Sequence, residues 1–185
     1  MDKLLLVVDM QVDFIEGSLG TAEAQAIVPN VVKKIKEWDG AIVVTKDTHH
    51  RNYLNTREGR YLPVEHCILC TPGHRIDGRI SKALRRRARR LGIDSDVYPK
   101  ESFGSIELVN DIYDDIRDQM TPLEHVEIVG LCTDICVVSN ALILRSAFPE
   151  ADITVDASCC AGTTPENHQA ALKVMKSCHI NIINE

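Results

Sequence analysis

Lys3-Leu4-Leu5-Leu6-Val7-Val8-Asp9 is an unbroken aliphatic run that ends on a carboxylate. A strand with one wet face alternates apolar and polar residues. A strand covered on both faces reads as a continuous apolar run, so this stretch belongs inside a parallel sheet. The run is too short for the core of a secretion signal and far too short to cross a bilayer. Similar runs recur at residues 41–45, 126–130, 151–155 and 180–183, with a weaker one at 96–98.

Helical periods fill the gaps. Ile27, Val31, Val32 and Ile35 form one stripe over residues 27–38, and Ile80, Leu84, Ala88 and Leu91 another over 80–91. Residues 134–147 and 165–177 read as helices too, as does a segment from Ile106 that ends within 114–120. Strand alternating with helix predicts right-handed crossovers and an α/β fold. The expected architecture is a three-layer α/β/α arrangement around a mostly parallel, Rossmann-like doubly wound sheet of about six strands. With 185 residues the chain is read as one domain, 1–185.

Composition narrows the function classes. Hydrophobic residues make up 44% and charged residues 26%, with a formal net charge of -6. That balance argues against broad binding to nucleic acid or to an anionic membrane. The chain is read as cytoplasmic, and its seven cysteines are expected to be free thiols.

Ligands of open α/β sheets bind beyond the carboxyl ends of the strands. Asp9 closes the first strand, Asp47-Thr48-His49 follows the second, and Lys100 follows the weak one. Leu131-Cys132-Thr133-Asp134-Ile135-Cys136 follows the run at 126–130. An acid, a base and a thiol thus converge on one sheet edge. With Thr133 or Asp134 as N-cap, Cys136 would lie in a first helical turn, where the helix dipole favours a thiolate. Its attack on a carbonyl would create an oxyanion near the N–H groups of Cys132 and Cys136. Asp9 could take the thiol proton and later return it to a leaving amine. The plainer alternatives are a packed core cysteine, a capping aspartate and a surface lysine. Asp47, His49 and His66 offer two imidazoles and a carboxylate for a metal, or are simply solvated residues of the aperiodic stretch 47–75.

The same residues resemble the isochorismatase-like cysteine hydrolases, in particular their nicotinamidase-related branch. Val8 to Phe14, Pro63-Val64-Glu65-His66-Cys67 with Thr71-Pro72-Gly73, Lys100-Glu101-Ser102-Phe103 and Gly130 to Val137 match four ordered motifs. The resemblance implies a catalytic triad of Asp9, Lys100 and Cys136. It implies metal ligands Asp47, His49 and His66, holding zinc, iron or manganese. It also implies a cis peptide at Leu131–Cys132, an oxyanion hole at Cys132 and Cys136, and substrate contacts from Phe14 and Leu131. The expected reaction is hydrolysis of a small amide C–N bond through a thioester, in a homo-oligomer that binds neither nucleic acid nor membrane. Relatives with the same triad include carbamoyl-amide and ureido-acid hydrolases. Thr48 and Leu62 stand where nicotinamidases carry tryptophan, and Cys70 where they carry glycine.

Two other classes compete. One is a zinc or redox module built on Cys67-x-x-Cys70 with His66 and His74. The other is a catalytically silent binding domain on the same fold. Arg85 to Arg90 is read as the solvated side of its helix or an oligomer contact. Cys159 and Cys160 are expected just after a strand.

Overall fold

The computed structural model describes residues 2–185. Six strands build its sheet: β1 (Lys3–Val8), β2 (Ala41–Asp47), β3 (Asp96–Lys100), β4 (His125–Leu131), β5 (Asp152–Ala161) and β6 (Asn181–Ile183). Every neighbouring pair is parallel, and the order is β3-β2-β1-β4-β5-β6. This is the doubly wound order, and the chain reverses direction across the sheet between β1 and β4. A ligand crevice is expected at that switch.

The helices are α1 (Val12–Ile15), α2 (Ala22–Glu37), α3 (Arg57–Tyr61), α4 (Gly78–Leu91), α5 (Ile106–Gln119), α6 (Val138–Ala147) and α7 (Pro165–Ser177). Leu5 and Val7 face a core shared with α2 and α4, while Leu4, Leu6 and Val8 face one shared with α5, α6 and α7. Adjacent residues of one strand thus serve both cores, which is why β1 reads as solid aliphatic sequence. Among the described residues no helix is long and apolar enough to cross a membrane. All seven cysteines are free.

Four expectations need correction. Helix α2 starts at Ala22 rather than near Ile27, because Thr21 caps it by accepting from the Ala24 N–H at 3.0 Å. The buried stripe of α4 is Ile80, Ala83, Leu84 and Arg87, not the one ending on Ala88 and Leu91. Arg87 is therefore not on the solvated side. Its guanidinium donates to the carbonyls of Trp38 and Gly40, clamping the end of α2 to the start of β2. Finally, Cys159 and Cys160 lie inside β5 and are buried, since that strand runs on past Val155 through a register shift against β4.

Candidate active site

The turn after β4 carries the thiol. Gly130 adopts φ +124°, and a Cβ there would lie 2.1 Å from the Val8 carbonyl oxygen. Only glycine lets β4 approach β1 this closely. The Leu131–Cys132 peptide is cis, as the resemblance implied. One π-type turn, Thr133–Val137, then leads into α6. Cys136 lies in this first turn, but its N-cap is Cys132 rather than Thr133 or Asp134. Those two side chains are engaged elsewhere. The Thr133 hydroxyl pairs with His168 Nδ1 at 2.8 Å, and the Asp134 carboxylate accepts from the Thr163 N–H at 2.8 Å and its hydroxyl at 2.5 Å. These bonds tie the turn to α7 and to the β5–α7 connection.

Asp9, Lys100 and Cys136 meet at the switch point, all buried. Lys100 Nζ lies 2.7 Å from Asp9 Oδ2, 3.3 Å from Asp47 Oδ1 and 3.4 Å from Cys136 Sγ. Thr45 donates its hydroxyl to Asp9 Oδ1 at 2.8 Å, while Oδ2, close to the lysine, has no aligned hydrogen-bond donor. Asp9 itself sits at φ +46°, a left-handed conformation that a short polar side chain tolerates. Burial raises the Asp9 carboxyl above its ordinary range, against the lowering effect of Lys100. Burial also pushes the Cys136 thiol well up, reinforced by the Asp9 charge. Lys100 feels the opposite penalty from burial, but the acids and the thiol around it hold it firmly protonated. The resting site is thus a neutral thiol beside a carboxylate made more basic by its surroundings, bridged by an ammonium.

A second cluster lies one strand further out. The ligand atoms of Asp47, His49 and His66 all fall within 4.8 Å of one another, and all three residues are buried. His66 Nδ1 pairs with the Val64 carbonyl at 2.8 Å, which leaves Nε2 aimed inward. His49 Nε2 comes within 2.9 Å of Asp47 Oδ2 yet forms no aligned hydrogen bond. Atoms that crowd one point without pairing are what a shared cation would leave behind, and two imidazoles plus a carboxylate suit a divalent metal. Burial would lower His49, but Asp47 and Glu58 raise it to about 9. Burial would raise Asp47, but the two histidines close beside it and the charge of Lys100 pull it well below the usual carboxylate range.

Glu58 is the residue that sequence reading missed. Its Oε1 lies 3.4 Å from His49 Nε2 and 3.7 Å from His66 Nε2. Thr56 caps its short helix through the Gly59 N–H, and an N-cap followed by an acid in the first turn was the available signal. Gln11 was missed as well. Its side chain takes the Asp47 N–H at 2.7 Å and donates to the Asp47 carbonyl at 2.8 Å. The proposed zinc or redox module finds no support in this geometry. Cys67 is buried, Cys70 is exposed, and His74 Nε2 pairs with the Thr48 hydroxyl at 3.0 Å. Among the described residues these three join no metal-holding group.

Cys136 and the second cluster open onto one cavity of about 990 Å³, with Asp9 and Lys100 behind the thiol. Phe14, Leu131, Cys132 and Cys136 line it together with Asp47, His49 and His66, so the residues singled out for substrate and metal share one space.

The family model for the isochorismatase domain matches residues 3–184. Among solved structures, the nicotinamidase/pyrazinamidase of Bacillus subtilis has a TM-score of 0.82 at 23% identity, with both chains covered in full. The pyrazinamidase of Pyrococcus horikoshii, in complex with zinc, has a TM-score of 0.76 at 29% identity, again over 100% of both chains. The pyrazinamidase/nicotinamidase of Streptococcus mutans has a TM-score of 0.80 at 25% identity and covers 98% of this chain and 100% of its own. No curated protein sequence matches.

Proposed function

We propose, from the premise that this chain belongs to the isochorismatase family, that it hydrolyses the C–N bond of a small amide through a thioester on Cys136. The observation that carries this reading is Lys100 Nζ lying 2.7 Å from Asp9 and 3.4 Å from Cys136, with all three residues buried.

The reaction follows from the protonation states. Asp9 takes the Cys136 proton, and the thiolate formed stays beside the Lys100 ammonium, which offsets its charge. The sulfur attacks the amide carbonyl carbon. The oxyanion is held by backbone N–H groups of the turn, those of Cys132 and Cys136. Asp9 then gives its proton to the nitrogen as the C–N bond breaks, and ammonia leaves. Water, deprotonated by Asp9, attacks the thioester. The acid product departs, and the proton returns to sulfur. A high-lying carboxyl suits both halves of this cycle, because it accepts and donates with little mismatch against its partners.

Asp47, His49 and His66 would hold the divalent metal, for which zinc is the natural choice given its affinity for imidazole and carboxylate. When bound it would supply Lewis acidity and a bound water of lowered pKa. The protein is proposed to act as one catalytic domain.

Ammonia release from a panel of small amides, measured for wild type and Cys136→Ala, tests the reading. Release that the variant loses by three orders of magnitude or more is the expected result, in line with the ~10³–10⁶-fold losses seen when an enzyme nucleophile is removed. Equal rates for the two proteins would refute the thiol mechanism.

A further inference from the structure

The cavity beside Cys136 is large for a single aromatic ring. At about 990 Å³ it stands at the top of the ~300–1,000 Å³ range of small-molecule sites. A pyridine carboxamide would leave most of it empty. Two lining positions shape it. Thr48 is buried, and its hydroxyl is spent on the Lys46 carbonyl and His74 Nε2, both at 3.0 Å, so it projects no ring into the space. Leu62 lines the cavity with a branched aliphatic side chain instead of an aromatic plate.

Leu62 is also firmly placed. Its N–H donates to the Glu58 carbonyl at 2.9 Å, and its carbonyl accepts from the Tyr53 hydroxyl at 3.0 Å. Tyr53 is fully buried, with its ring centroid 4.6 Å from that of His49 and 5.0 Å from that of His66. The wall is therefore preformed. Leu19, Leu131 and Ile135 add further aliphatic surface to the lining.

Charge points the same way. Arg57 is the arginine or lysine that lines the cavity among the described residues, and it sits exposed at the rim over the ring of Tyr61. Lys100, deeper in, already faces Asp9 and Asp47. The lining histidines His49 and His66 already face Asp47 and Glu58, so among the described residues no buried lysine or arginine is left over to neutralise a substrate carboxylate, which a ureido acid would bring in at a high desolvation cost.

We infer that the substrate is an uncharged carboxamide with an extended apolar acyl group, aliphatic or aryl-alkyl, and that Leu62 sets the length it accepts. This rests on the amidase reading above and names the substrate class for the same site. An apolar chain gains free energy with each methylene it removes from water, and an aliphatic wall follows its shape better than a flat ring would.

The test is ammonia release from butanamide, hexanamide, octanamide, phenylpropanamide and nicotinamide. It uses the purified full chain as wild type, Leu62→Trp and Leu62→Ala. In wild type kcat/KM rises about fourfold per methylene, the ratio given by ~0.8 kcal/mol per buried CH₂. Both variants lower the octanamide to butanamide ratio, Leu62→Trp by blocking the chain at least tenfold and Leu62→Ala severalfold by removing its contact. A ratio is indifferent to how much of a variant folds. Nicotinamide turned over faster than every linear amide, or a ratio unchanged within twofold in both variants, overturns the inference and leaves the amidase reading standing. No ammonia from any amide refutes that reading and this inference with it.

Discussion

Lys100→Met takes away the cation that sits among Asp9, Asp47 and Cys136 while keeping a side chain of similar length. At 2.7 Å and an effective dielectric constant near 20, the pair with Asp9 has a gross attraction of about 6 kcal/mol. Desolvation offsets part of it. Removing one partner of a buried pair costs about 3–5 kcal/mol, because the other is left charged in a poor solvent. In a domain of this size each kcal/mol moves Tm by about 2–4 °C, so the variant should melt roughly 10 °C lower at neutral pH. The pH dependence carries the sharper test. The folded Asp9 carboxyl already titrates above the ordinary carboxylate range, because burial outweighs Lys100. Its contribution is fully present below the unfolded value and is lost as pH rises through the folded one. Without Lys100 the folded value climbs further, so the loss deepens toward neutral pH and shrinks as acid neutralises Asp9. Thermal melts of both proteins between about pH 5 and pH 8 should therefore converge at the acid end. Ammonia release should fall at least ~10²-fold, the scale of a misplaced acid–base group. A Tm difference below about 2 °C, or one that is flat across that range, would mean that Lys100 is not the counterion of Asp9.

Metal binding should be proton-linked. In the metal-free protein His49 titrates at about 9, above the ordinary 6.5, so its stabilising contribution is complete below 6.5 and disappears as pH rises through 9. A divalent cation must displace that proton. Zinc titrations by calorimetry in buffers of different ionisation enthalpy should therefore report proton release, with affinity growing as pH increases toward 9. His66→Ala should lower zinc affinity at least ~10-fold, and unchanged affinity would place the metal elsewhere. Away from the site, Arg87→Met should cost about 1–3 kcal/mol in denaturant melts, since it strands the Trp38 and Gly40 carbonyls. The exposed Arg86→Met should fall within about ±0.5 kcal/mol, and equal losses in the two would remove the clamp from the account.

The strands were legible where both faces are buried, because continuous aliphatic sequence admits few other readings. β5 was read short for the opposite reason. Past Val155 it carries Asp156 and Ser158, which look like the end of a strand. In the structure Asp156 is buried and satisfied by Lys34 at 2.9 Å and by the Ser158 hydroxyl at 2.7 Å. Local polarity hid a partner supplied by a distant helix. Arg87 was misplaced in the same way, since its acceptors are carbonyls at a chain corner that no pattern marks. Most of the candidate site was legible through residues at strand ends and His66 through its motif, whereas Glu58 stands in the aperiodic stretch with neither a strand end nor a motif to point to it.

The strand order explains why so small a set of positions can act together. Read across the sheet edge, β3, β2, β1 and β4 deliver Lys100, Asp47, Asp9 and the thiol-bearing turn in that sequence. Each group comes from a different strand, so their spacing is set by inter-strand pairing rather than by any one loop. Asp47 pairs in register with Lys100, and Val8 with Gly130. A slip of one residue in either pair would turn the neighbouring side chain to the opposite face. Gly130 is the point where that register is most exposed to change. Any side chain there meets the Val8 carbonyl and forces β4 away from β1. The displaced element is the one that holds Cys136 at 3.4 Å from Lys100, and a shift of an ångström would break that contact without touching either residue. The glycine is thus better understood as part of the site than as a feature of the sheet.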